Sequence, residues 1–150
     1  MNTYELVAAQ IRELADEEPH WVPVLANASA LVFDAIDGLN WAGFYLMRQG
    51  ELVLGPFQGK VACVRIALGR GVCGTAAKLD QTQLVPDVHA FPGHIACDSA
   101  SAAEVVVPLH ANGQVIGVLD IDSPIMGRFT QDDAAGFELI ARTIEEVAQF

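Results

Sequence analysis

Positive charge is scarce in this chain. Eight Lys and Arg residues stand against 19 Asp and Glu, and the formal net charge is −11. Phosphate backbones are bound through clustered Lys and Arg, so the composition argues against nucleic acid as a partner, and an acidic protein is poorly suited to anionic membrane surfaces. Long apolar runs are missing as well, and nothing approaches the ~18 residues that would span a bilayer. The start, Met1-Asn2-Thr3-Tyr4-Glu5, lacks the basic lead and apolar core of a secretory signal, so the expected compartment is the cytosol. Cysteine is limited to three residues, with no Cys-x-x-Cys pair. That spacing speaks against common zinc sites and thioredoxin-like motifs. In a reducing compartment it also excludes a static disulfide framework, while leaving open a transient disulfide formed during a reaction cycle. Repeats, linkers and low-complexity stretches are absent, so residues 1–150 are expected to form one domain around one core.

What is present divides into helical ends and a strand-rich middle. Leu6, Val7, Gln10, Ile11 and Leu14 fall at helical spacing within Thr3 to Ala15, with Thr3 as a cap. Pro19 is a suitable first-turn residue for a second helix through about Asp37, ended by Gly38. From Trp41 the character turns strand-like: Trp41 to Met47, a Gln49-Gly50 turn, Leu52 to Leu54, then Cys63 to Ile66. Gly69-Arg70-Gly71 interrupts, Val72 to Leu79 reads as a short helix, and Leu84-Val85 as a short strand. Glu104 to His110 and Gln114 to Ile121 form a hairpin around Asn112-Gly113. Counted as a two-residue turn, that hairpin pairs Glu104 with Ile121. Thr130 and Asp133 make a capping box for a last helix whose apolar face carries Phe137, Ile140, Ile144 and Val147. The sum is an α+β fold: a central antiparallel sheet with the N- and C-terminal helices packed on one face.

The chemistry concentrates in the loop Pro86 to Ala103. Within it, Phe91-Pro92-Gly93-His94-Ile95-Ala96-Cys97-Asp98-Ser99 places a thiol among small and polar residues after a Pro-Gly turn, a setting that argues for exposure. Cys63 and Cys73 have apolar neighbours, where a thiol serves as often as a small core residue as a reactive group. A metal site from His89, His94, Cys97 and a second cysteine is conceivable, but its spacing matches no common arrangement. No cofactor motif is present. Asp120 and Asp122 alternate along one strand face and, with Glu104, would put three carboxylates at one end of the hairpin; a solvated strand end is the alternative. Trp41 and Tyr45 flank Gly43 on one strand face, which fits either a pocket wall or ordinary packing. Gly69-Arg70-Gly71 fits an anion-binding helix start or a plain glycine turn.

Taken together, Asn40-Trp41-Ala42-Gly43-Phe44-Tyr45-Leu46, the three cysteines at their spacing, Gly93-His94-Ile95-Ala96-Cys97-Asp98-Ser99 and Leu119-Asp120-Ile121-Asp122-Ser123-Pro124 resemble the free methionine-R-sulfoxide reductases, single-domain enzymes with a GAF fold. The resemblance covers about Asn40 to Val147. It implies that Cys97 is the catalytic cysteine, Cys63 the principal resolving one and Cys73 an auxiliary thiol. It further implies that Trp41 and Tyr45 hold the substrate methyl group, and that Glu104, Asp120 and Asp122 bind its polar end. The implied reaction is thiol-dependent reduction of free L-methionine-(R)-sulfoxide, with thioredoxin as reductant and no cofactor or metal; a homodimer is left open. The competing readings are a GAF domain that senses a small molecule without catalysis, and a redox-sensing module.

Overall fold

The computed structural model describes every residue except Ile95 and Ala96. Helices α1 (Thr3–Glu17) and α2 (Trp21–Ala35) precede strands β1 (Trp41–Arg48), β2 (Glu51–Gly59) and β3 (Arg65–Ala67). Helix α3 (Gly71–Leu79), strand β4 (Gln83–Val85), the hairpin β5 (Ala103–Ala111) and β6 (Gln114–Ser123), and helix α4 (Gln131–Val147) complete the chain. The six strands form one antiparallel sheet in the order β3-β2-β1-β6-β5-β4.

Strand alternation splits the sheet's side chains between two layers. On one face Ala42, Phe44, Val105, Val107, Leu109, Leu119 and Ile121 pack against α1, α2 and α4. This is the expected placement of the terminal helices. On the other face Trp41, Tyr45, Val106 and Val118 meet α3 through Val72, Cys73 and Ala76. Helix α3 is only nine residues long. It leaves part of this second face to be covered by irregular chain, and the polar residues gather there.

Local details differ from the sequence reading in ways that have physical causes. Asn2, not Thr3, caps α1, and it completes a capping box with Glu5. The buried stripe of α1 runs through Val7, Ala8, Ile11 and Ala15, leaving Leu6 and Leu14 exposed. Helix α2 starts after Pro19, with His20 as its cap, so that Pro23 lies in the first turn, and it ends at Ala35. The third strand begins at Arg65, and Cys63 precedes it. The capping box of α4 and its face of Phe137, Ile140 and Ile144 are as expected, with Val147 packed at the edge of the core.

The largest correction concerns register. The Asn112-Gly113 turn, with φ of 53° and 75°, pairs Ala111 with Gln114 as expected. A bulge then intervenes: His110 pairs with Val115, but Leu109 pairs with Gly117, so Ile116 is the extra residue. The slip moves Glu104 from opposite Ile121 to opposite Asp122. One residue of slip exchanges the two faces of a strand. The bulge therefore decides that Glu104 joins Asp120 and Asp122 on the second face instead of entering the helical core. Gly117 is required at this point, because a Cβ there would lie 2.3 Å from the Tyr45 carbonyl oxygen of β1.

Just before the bulge, His110 ties three elements together. Its Nδ1 lies 2.6 Å from Glu145 of α4 and its Nε2 lies 2.6 Å from Asp80, the left-handed residue that ends α3. Desolvation alone would lower the imidazole pKa, but the hydrogen bonds to Asp80 and Glu145 outweigh it and raise the pKa above its ordinary value. A raised folded-state pKa contributes stability fully below the unfolded value of about 6.5 and loses it as pH rises through the folded value. Urea midpoints of the wild-type protein are expected to fall across that window, while those of His110→Gln stay flat there. Because the pair is partly exposed, the difference should be on the order of 0.5–1 kcal/mol.

Candidate functional site

Two loops cover the open part of the second face. The segment 60–64 is tied down by aromatic polar tips: Trp41 Nε1 donates to the Lys60 carbonyl at 3.1 Å, and Tyr45 OH donates to the Cys63 carbonyl at 2.9 Å. The segment after β4 is anchored where Val88 N–H donates to the Ala102 carbonyl and Ala102 N–H to the Ser123 carbonyl, each at 2.8 Å. Between them lies a small cleft that opens to solvent. Trp41, Tyr45, Cys73, Cys97, Glu104, Asp120 and Asp122 all line it.

Cys97, in the cleft wall, is joined to Cys63 by a disulfide, their Cα atoms 5.5 Å apart, inside the ordinary range for such a bond. Cys97 is half-buried rather than freely exposed, and the Ile95-Ala96 step of its loop lies outside the described residues. Bonded to Cys63, Cys97 has no thiolate to offer the conceivable metal site with His89 and His94. Cys73 is a free, buried thiol on α3, and its Sγ is 3.9 Å from Glu104 Oε2. Burial pushes its pKa well up, and the charges of Asp120, Glu104 and Asp122 push it further. It is thus held as a neutral thiol.

The three acids sit side by side because the register puts them there. Asp122 is flanked by Trp41 on β1 and Glu104 on β5, and Asp120 by Gly43 and Val106. Glu104 and Asp120 are only 7% and 5% exposed. The solvated strand end is excluded for them. Asp122 keeps some exposure, yet its Oδ1, like that of Asp120, is buried without a hydrogen-bond partner among the described residues. Burial raises all three carboxyl pKa values, those of Glu104 and Asp122 most, and the charge of Asp120 adds to both. For Asp120, hydrogen bonds from Glu104, Cys73 and Asp122 partly offset the burial. Crowded carboxyls in low dielectric cannot all ionise. Asp120 is therefore the member that carries charge most readily, accepting from protonated neighbours.

Trp41 and Tyr45 stack with centroids 5.9 Å apart, and Phe57 also stacks on Trp41 at 5.1 Å. A second bulge, at Gly55-Pro56 of β2, aims Phe57 there. Gly43 is the contact point: a Cβ would lie 2.3 Å from the Phe57 Cβ. The glycine gap between the two aromatic residues thus admits a third ring, while Trp41 and Tyr45 still face the cleft. Burial, with the charge of Asp120 next, raises the Tyr45 phenol pKa, so it stays a donor to Cys63.

Sequence reasoning did not single out Asn40. Its Nδ2 donates to Asp98 Oδ2 at 2.9 Å and to Ser101 Oγ at 3.0 Å, while its backbone N–H donates to the Asp122 carbonyl. Asp98 is also held by the Ala100 N–H, which lowers its pKa together with the Asn40 bond. Asn40 thereby clamps the residue next to Cys97 to the strand that carries the acids. No spacing rule reveals a contact between residues 58 positions apart. Gly69-Arg70-Gly71 turns into α3 beside the cleft, with Arg70 and Gly71 in its wall.

Comparison with known proteins agrees with this geometry. Residues 6–147 match the GAF domain family. The chain is 51% identical to the free methionine-R-sulfoxide reductase of Escherichia coli (strain K12), over 98% of its own length and 91% of the relative's. Its fold matches that of the Staphylococcus aureus fRMsr in reduced form with a TM-score of 0.93 at 50% identity, covering 97% of this chain and 95% of that one. It also matches a free methionine-R-sulfoxide reductase from Neisseria meningitidis, solved in complex with its substrate, with a TM-score of 0.91 at 46% identity, covering 95% and 86% of the two chains. This chain belongs to the GAF-domain family and, within it, to the free methionine-R-sulfoxide reductases.

Removing the Asn40 clamp tests whether the Cys97 loop depends on it. Asn40→Ala should cost about 1 kcal/mol of stability. It should also speed amide exchange at Ala100 and Ser101 relative to the β5–β6 hairpin, as read by hydrogen–deuterium exchange; equal protection in the variant would show the loop is held by other means.

Proposed function

We propose that the protein reduces free L-methionine-(R)-sulfoxide to L-methionine through Cys97, with Cys63 as resolving thiol. The observation that carries this reading is the disulfide from Cys63 to Cys97, the latter lining a cleft whose floor is acidic and whose wall is aromatic. In the reduced protein, the Cys97 sulfur attacks the sulfoxide sulfur, and the S=O bond is broken as its oxygen passes to Cys97. Methionine leaves two electrons richer, and Cys97 becomes a sulfenic acid. The Cys63 thiol then displaces that oxygen as water and closes the disulfide. A dithiol protein of the thioredoxin class reopens it by exchange, its own thiols being oxidised in turn. Cys73 stays in reserve as an auxiliary thiol.

Each side of the cleft has a role in this cycle. Trp41 and Tyr45 offer an apolar surface to the methyl group. Asp120 and Asp122 meet the substrate ammonium, whose arrival stabilises their ionised forms and pairs the two unpartnered oxygens. Glu104, whose burial and acidic neighbours hold its carboxyl well above the ordinary pKa, keeps its proton and donates it towards the departing oxygen. A peptide-bound methionine sulfoxide has no free ammonium to place against the acids, which gives the preference for the free amino acid.

Three outcomes are expected. Cys97→Ser should abolish methionine release from the free R-sulfoxide with dithiothreitol as reductant. Asp122→Asn should raise KM for that substrate about ten- to a hundredfold, the loss of one charge-assisted hydrogen bond, with kcat changed far less. If affinity were unchanged, the acids would not bind the amine. A general acid with a raised pKa is protonated below that value and lost above it, so kcat should decline as pH rises through it, and Glu104→Gln should lower kcat and flatten that limb.

A further inference from the structure

We propose that Cys73, Glu104 and Asp120 form a binding site for a thiophilic divalent cation of the Zn²⁺ class on the floor of the cleft. The Cys73 Sγ and one carboxylate oxygen from each acid all lie within 4.8 Å of one another. Three separate elements, α3, β5 and β6, supply them, and all three residues are buried. A cation placed among these atoms would need only small side-chain adjustments to reach bonding distances of about 2.0–2.3 Å.

A second observation points to a ligand here. Asp120 is 5% exposed, lines the cleft, and has an Oδ1 with no hydrogen-bond partner among the described residues. Among the described residues, no ion pair reaches Glu104, Asp120 or Asp122, although Arg70 and His94 line the same cleft. The donor chemistry selects the ion. One thiolate with two carboxylates suits Zn²⁺, Co²⁺ or Cd²⁺, whereas Mg²⁺ and Ca²⁺ take oxygen ligands in larger number. Three protein donors also leave a fourth tetrahedral position open towards the cleft. As the metal bonds form, the Cys73 thiol proton and the Glu104 carboxyl proton both leave to bulk water; no electron is transferred. A cation bound there uses the Asp120 carboxylate assigned above to the substrate ammonium and the Glu104 carboxyl assigned to proton donation, so it would exclude the substrate.

The disulfide form of the protein gives a clean test, because Cys63 and Cys97 are then bonded to each other and Cys73 is the one remaining thiol. Titration of that form with Co²⁺ is expected to produce sulfur-to-cobalt charge-transfer absorbance that saturates at one equivalent. Zn²⁺ should bleach it and excess Mg²⁺ should leave it. The band should be missing in Cys73→Ser and strongly weakened in Asp120→Asn, both verified as folded by near-ultraviolet circular dichroism. As a measurement independent of variants, Zn²⁺ should slow alkylation of Cys73 in the wild-type disulfide form at least tenfold. A wild-type disulfide form without the band, a band of unchanged strength in Cys73→Ser, or equal alkylation rates with and without Zn²⁺ would each overturn the proposal. None of these readouts depends on sulfoxide reduction, so the site and the enzymatic reading stand or fall separately.

Discussion

Three carboxyl groups share one corner of the sheet with no ion pair to them among the described residues, and the surroundings make sense around that constraint. A lone buried carboxylate costs several kcal/mol unless it is paired or protonated. Here burial raises all three carboxyls, Glu104 and Asp122 well above the ordinary carboxylate range and Asp120 less, so the corner favours fewer than three charges. A corner arranged in this way strongly favours an incoming positive group. It also holds neighbouring Cys73 neutral, which keeps that thiol from competing as a nucleophile.

The backbone produces this corner by two departures from regular pairing. The bulge at Ile116 sets Glu104 opposite Asp122, and Gly117 lets β1 approach closely enough to complete the row Trp41, Asp122, Glu104. The bulge at Gly55-Pro56 turns Phe57 onto Trp41 and stiffens the aromatic wall. The same aromatic residues hold the Cys63 loop through their N–H and O–H groups, and Asn40 holds the Cys97 loop. The aromatic wall, the acid floor and the two disulfide-bonded cysteines are therefore mounted on four adjacent strands, β2, β1, β6 and β5, and their loops. Rigid mounting of this kind is what thiol chemistry at a small substrate requires.

Much of this was legible in the sequence, for identifiable reasons. Periodicity located the helices, the Asn112-Gly113 turn located the hairpin, and Thr130 with Asp133 located the start of α4, because each is a local signal. The alternation of Asp120 and Asp122 correctly put them on one face. The register of Glu104 was not legible, since a bulge near the turn leaves no mark that a two-residue count detects. Leu6 and Leu14 satisfied helical spacing but stayed exposed, because α1 presents the adjacent stripe of Val7, Ile11 and Ala15 to the core. The pairing of Cys63 with Cys97 came from family resemblance, as residues 34 positions apart carry no spacing signal for a bond. Asn40 went unnoticed because its partners lie in a distant loop.

The central claim is that one sulfoxide molecule converts the Cys97 and Cys63 thiols into the disulfide described above. The most direct test is a single-turnover reaction of the fully reduced protein with free L-methionine-(R)-sulfoxide and no external reductant. Methionine would be quantified alongside residual thiols, and the linkage read by peptide mass mapping. The account predicts one methionine per chain, loss of two thiols, a Cys63–Cys97 peptide and an unmodified Cys73. Methionine formed without thiol loss, or a first disulfide that includes Cys73, would contradict it.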